Sequence, residues 1–212
     1  NGGIDDVQVK EDGSVDVSVV AALSPNAEAS EFLTVTITGF DPAWGAVSAP
    51  VGSFNGAGTE WSVTLPAGTN LSTVFTFTPA AQSDIDLTGL VATAVATDPL
   101  EGTSASASDG FNVIVDAVAD VPSIVANGGT DVEGTAIAVN IAGSLGVDTD
   151  GSEAITHYEV SGVPSGFAFN QGTDMGGGVW SFTPAQLAGL TIAGPAAFDG
   201  TLNLVASVFT TE

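Results

Sequence analysis

Asp148-Thr149-Asp150-Gly151-Ser152-Glu153 places three carboxylates and a hydroxyl within six residues. The chain carries 25 acidic residues against a single basic one, Lys10, and one histidine, His157. Two unit charges about 4 Å apart repel by roughly 1 kcal/mol in water and roughly 4 kcal/mol near a protein surface. A fold that gathers such carboxylates therefore needs a counter-ion from solution. Carboxylate, hydroxyl and backbone oxygens are hard ligands and suit Ca²⁺ far better than a soft metal. The candidate ligands are Asp148, Asp150, Ser152 and Glu153, with Asp199 or Glu212 as the distant acid that closes the site. An EF-hand is not expected, because the glycine stands at the fourth position and Glu159 falls inside a predicted strand.

The same loop occurs earlier. Leu23-Ser24-Pro25-Asn26-Ala27-Glu28-Ala29-Ser30-Glu31 matches Leu145 to Glu153 position by position. There Asn26 replaces the first Asp and can still coordinate through its amide oxygen. Asn26, Glu28 and Glu31 are thus a second, weaker candidate site, closed by Asp98 and Glu101 with help from Asp109. A third acidic group, Asp116, Asp120, Asp131 and Glu133, surrounds Pro122 and is expected to bind an ion that stiffens a junction. Glu11, Asp12, Asp5 and Asp6 form its equivalent at the preceding boundary.

These loops must be positioned by strands. Val15-Asp16-Val17-Ser18-Val19, Leu33-Thr34-Val35-Thr36-Ile37-Thr38 and Val74-Phe75-Thr76-Phe77-Thr78 alternate with period two and are rich in β-branched residues. Gly, Pro, Asn and Asp clusters separate them at β-sandwich spacing. Only Pro184 to Leu190 reads as a short helical turn. The expected fold is all-β, with two tandem sandwich domains over residues 1–120 and 121–212. Further matches support the repeat: Trp61-Ser62-Val63-Thr64 with Trp180-Ser181-Phe182-Thr183, Leu90-Val91-Ala92 with Leu204-Val205-Ala206, and Asn1-Gly2-Gly3 with Asn127-Gly128-Gly129. Copy one closes with Gly110-Phe111-Asn112-Val113-Ile114-Val115-Asp116. Copy two stops at Glu212, aligned with Asp98, so the second sandwich is expected to lack its last strand. Either it is cut short or another chain or segment donates that strand.

Composition excludes several classes. A net charge of −24 argues against nucleic acid and against anionic membrane surfaces, both of which require Lys and Arg. A hydrophobic fraction of 44% argues against disorder despite that charge. Without cysteine there are neither disulfides nor thiolate metal sites. No apolar run reaches the roughly 18 residues of a membrane helix. Asn1 to Asp6 has no basic region or signal core, which reads as a mature or excised chain. No motif sets two carboxylates at a glycosidase separation, although Glu60, Asp174 and Glu159 are available, so no enzyme is expected.

Smaller features add detail. His157 is expected on the surface, with a β-bulge near Thr156 that keeps Tyr158 and Val160 facing the core. Trp61 and Trp180 read as core anchors, Trp44 as an exposed contact, and Gly176-Gly177-Gly178 as a loop rather than a phosphate cradle.

Glu133-Gly134, Asp148 to Glu153, the Ser161-Gly162-Val163-Pro164 turn, Trp180 to Leu190 and the Val115 to Pro122 linker occur in an order that resembles the tandem cadherin-like and immunoglobulin-like repeats of giant bacterial RTX adhesins. The resemblance covers most of the chain. It implies Ca²⁺-rigidified extender modules of a secreted cell-surface filament, exported by type I secretion, with neighbouring repeats of the same chain as partners. Asn26 and the absent last strand of copy two depart from it. A calcium-dependent glycan- or protein-binding module of such a surface protein, with Trp44 as a contact, is the alternative expectation.

Overall fold

The computed structural model describes residues 5–146 and 151–212. The chain is all-β, with no α-helix among the described residues, and it divides into two compact units, Asn1–Val118 and Ala119–Glu212.

Unit 1 contains β1 (Asp5–Lys10), β2 (Val15–Ala21), β3 (Phe32–Thr38), β4 (Gly45–Ser48), β5 (Ser53–Phe54), β6 (Glu60–Thr64), β7 (Leu71–Pro79), β8 (Leu87–Asp98) and β9 (Thr103–Asp116). They form a six-stranded sheet in the order β1-β9-β8-β3-β6-β5 and a three-stranded sheet β2-β7-β4. All pairings are antiparallel except that of β1 with β9, which is parallel. The period-two pattern decides which residues face inward. Leu33, Val35 and Ile37 of β3 are buried, as are Leu71, Phe75 and Phe77 of β7, and the two sets join one core. Edge-to-face contacts knit that core together, with ring centroids 4.8 Å apart for Trp61 and Phe75.

Unit 2 contains β10 (Ser123–Asn127), β11 (Ile137–Ala138), β12 (Asn140–Ser144), β13 (Ala154–Ser161), β14 (Ala168–Phe169), β15 (Thr173–Gly176), β16 (Val179–Phe182), β17 (Thr191–Ala193) and β18 (Val205–Thr211). One sheet runs β15-β16-β13-β18; facing its core are β11-β17-β14 and the pair β10-β12. Tyr158, Val160, Phe169, Phe182, Leu190 and Ile192 make the centre of the core. The register of β13 with β18 shifts between Ile155 and His157, which is the expected bulge. Tyr158 and Val160 consequently point inward, while His157 lies partly exposed, stacked on Phe209 with ring centroids 4.4 Å apart. Pro184–Leu187 forms a 3₁₀ turn, and Gly176 to Gly178, all with positive φ, make the tight β15–β16 hairpin.

Positions that match in sequence pair alike in the two units. Val15 pairs with Phe77 and Ile137 with Ile192; Ile37 pairs with Trp61 and Val160 with Trp180. Among the described residues, unit 2 has no strand in the place of β9, and unit 1 has none in the place of β10.

Candidate metal sites at the ends of the two units

The acidic loop of copy one opens with turns closed by Ala27 N–H to Ser24 O at 2.9 Å and Glu31 N–H to Glu28 O at 3.0 Å. Glu31 then turns its Oε1 back onto the Glu28 N–H at 3.0 Å. Because Phe32 pairs with Thr97, the preceding Glu31 and the following Asp98 come side by side at the end of the sheet. Asp98 is buried, and its Oδ1 accepts from Leu100 N–H at 2.8 Å and from Glu101 N–H at 3.4 Å, tying off the β8–β9 hairpin. Asn26, Glu28, Glu101 and Asp109 are exposed. The antiparallel pairing thus joins Glu31 to Asp98, with Asn26, Glu28 and Glu101 on the flanking turns.

Unit 2 repeats this arrangement. Ala154 pairs with Thr211, so Glu153 and Glu212 adjoin each other at the same end of the sheet. Glu153 is only 4% exposed, and its Oε1 accepts the N–H of Asp120 at 3.0 Å. The Asp120 carbonyl in turn accepts from the Thr210 hydroxyl at 3.4 Å. Ser152 is exposed beside it. Asp148 and Asp150 lie outside the described residues. Glu212, not Asp199, is the acid that the sheet brings to Glu153. Asp199 precedes β18 on its Val205 side and lines a cleft with Asp131 and Glu133.

Of the acids around Pro122, Asp120 and Asp131 stand apart. Asp120 stands before β10 and Asp131 beyond it, five strand residues apart, or roughly 17 Å at about 3.3 Å per residue. What sequence reading missed is Glu11. Sequence order groups it with Asp5, Asp6 and Asp12 at the preceding boundary, yet its N–H donates to Asp116 O at 3.1 Å. Its buried carboxylate accepts from Val118 N–H at 2.5 Å. The physical reason is the parallel pairing of β1 with β9. A residue that ends β1 arrives where the unit ends, with Lys10 opposite Asp116 in register. Glu133, the counterpart of Glu11, follows β10, whereas Asp120 precedes it, and it lines the cleft with Asp131 and Asp199.

Each unit therefore holds one buried glutamate fastened to the backbone that joins the units in sequence: Glu11 to Val118 and Glu153 to Asp120. Such oxygen-only donors match the ligand preference of Ca²⁺. Among the described residues, no three Asp, Glu or His side chains gather tightly enough to hold an ion by themselves. Glu31 with Asp98 and Glu153 with Glu212 are pairs that backbone carbonyls, water and neighbouring loop residues would have to complete.

Trp44 is a correction. It is 5% exposed, its indole N–H donates to Ile85 O at 2.6 Å, and its ring packs edge-on to Phe77. It belongs to the core and offers no platform for a sugar. Trp61 is also buried, whereas Trp180, at the same register, is half-buried and the neighbouring Phe182 takes the interior. No protein-family model matches the chain, and a search of curated proteins gives no match either.

Proposed function

We propose that the chain is a calcium-stabilised extender of a secreted bacterial cell-surface adhesin filament, with a structural role in adhesion and partners in neighbouring cadherin-like repeats. The observation that carries the reading is the pair of buried glutamates, Glu11 and Glu153, each bound to backbone where one unit gives way to the next in sequence. In a chain of net charge −24 with one lysine, ordering more acids around them requires a cation from solution. Glu153, Glu212 and Ser152 would hold an ion in unit 2, joined by Asp148 and Asp150. Glu31 and Asp98 would do so in unit 1, with Asn26, Glu28 and Glu101. Glu11 and Asp116 would hold an ion at the end of unit 1.

Bound calcium supplies positive charge and a fixed oxygen shell; the chain supplies carboxylates already oriented by backbone N–H groups. A ligand that binds only the folded state stabilises it by mass action, by about 2.7 kcal/mol at a hundredfold excess over Kd. Extracellular modules bind Ca²⁺ with Kd of about 10⁻⁴ to 10⁻³ M. Stability would then rise steeply where calcium is plentiful, outside the cell. Thermal melting in EDTA and in 10 mM Ca²⁺, with sodium chloride matched for ionic strength, tests this. A clear rise in midpoint with Ca²⁺ alone is expected, and equal midpoints would sink the proposal.

A further inference from the structure

The single histidine of the chain sits in a setting that the calcium sites do not use. His157 and Glu159 stand two residues apart on β13, so both side chains leave the face of the sheet opposite to Tyr158 and Val160, which are buried in the core. The bulge between Ile155 and His157 brings Thr156 beside the ring. Thr156 Oγ1 donates its one hydrogen to Phe209 O at 3.1 Å and lies 3.0 Å from His157 Nδ1. With that hydrogen spent, the hydroxyl meets the ring as an acceptor. Nδ1 of the neutral imidazole therefore carries the hydrogen, and Nε2 keeps the lone pair. The Phe209 ring, with its centroid 4.4 Å away and its plane 2° from parallel, fixes the plane of the imidazole.

Nε2 stands 3.7 Å from Glu159 Oε1. A nitrogen lone pair and a carboxylate at that distance are two acceptors, and a cation between them satisfies both. Unit 2 has no lysine or arginine to supply one. Ser207 and Ser181 are the residues opposite Glu159 on the two neighbouring strands. The side chains of His157 and Glu159 are 37% and 36% exposed, so an ion from solution reaches them.

The donor set selects the ion. One imidazole nitrogen with one carboxylate oxygen suits Zn²⁺ or Cu²⁺, whereas Ca²⁺ takes oxygen alone. A histidine that ligates a metal almost always donates its other N–H to an acceptor that holds the ring, the part Thr156 Oγ1 takes here. An ion about 2.1 Å from both atoms would see them at a tetrahedral angle once they closed by about 0.3 Å. Among the described residues no third Asp, Glu or His joins them, so water must complete the shell. We propose that His157 and Glu159 chelate one divalent transition-metal ion of borderline softness, Zn²⁺ or Cu²⁺, with Thr156 as the positioning residue. The inference rests on the bulge of β13 and is independent of the calcium sites.

The test titrates Zn²⁺ into the whole chain at about pH 7.5, where the imidazole is mostly neutral, with millimolar Ca²⁺ present to fill oxygen-only sites. The lone histidine makes its ring C–H signals in the proton spectrum a reporter for this position, and calorimetry gives the affinity. The expected result is a saturable shift of those signals at one ion per chain, with tighter binding of Cu²⁺ than of Zn²⁺. His157→Gln should abolish the site, and Glu159→Gln and Thr156→Val should each weaken it by about tenfold or more. Thr156→Ser keeps the hydroxyl and should keep the affinity. The proposal is overturned if millimolar Zn²⁺ leaves the histidine signals unmoved, or if Glu159→Gln binds as tightly as the native chain. Equal weakening by Thr156→Ser and Thr156→Val would remove Thr156 from it.

Discussion

Gly52 sits one residue before β5 with φ at +75°, and a Cβ added there would clash with the Trp61 ring. The Trp61 indole N–H donates to Val51 O at 3.0 Å, so the turn and the ring hold each other in place. Gly52→Ala combines an unfavourable φ with a clash against a buried aromatic and should destabilise unit 1 by more than about 1 kcal/mol. Urea titration checks this, and a change within error would refute it. Trp61 was readable from its repeat position, but the burial of Trp44 was not. Trp44 lies in a turn outside any period-two run, and only the stacking of two sheets brings it to Phe77. At Glu153, Glu153→Gln keeps an oxygen acceptor for the Asp120 N–H while removing the charge. The proposed calcium site predicts that this variant folds in EDTA much as the native chain does yet loses the calcium-dependent rise in the melting of unit 2. Glu31→Gln should remove a smaller rise from unit 1, because Asn26 replaces a carboxylate there. A full calcium response in Glu153→Gln would exclude Glu153 as a ligand.

Among elements, alternation was enough to place β2, β3 and β7, and the one residue by which Ile155 to Val160 exceeds its counterpart Leu33 to Ile37 was enough to place the bulge in β13. The ends to which acids travel were not legible. Periodicity identifies a strand but does not encode whether its neighbour runs parallel, and the parallel β1–β9 pairing is what sends Glu11 to Val118.

For the whole molecule, two separate cores predict two melting transitions. The core of unit 1 contains fifteen buried apolar residues among those described, including two tryptophans and three phenylalanines; that of unit 2 contains eight. Burial contributes about 25 cal/mol per Å² of apolar surface, so the unit with the smaller core and the open cleft should melt first. Net charge sets a second expectation. Self-repulsion among 25 acids destabilises both units, and sodium chloride should raise both transitions together by screening it. Calcium at equal ionic strength should act unevenly, raising the lower transition more, because the better-preserved acidic loop belongs to unit 2. Calorimetry in EDTA, in sodium chloride and in Ca²⁺ separates these effects. Equal shifts of both transitions under Ca²⁺ and under sodium chloride would reduce the role of the metal to general screening. Narrowing of the gap between the transitions under Ca²⁺ alone would assign the ion to the loop that ends in Glu153.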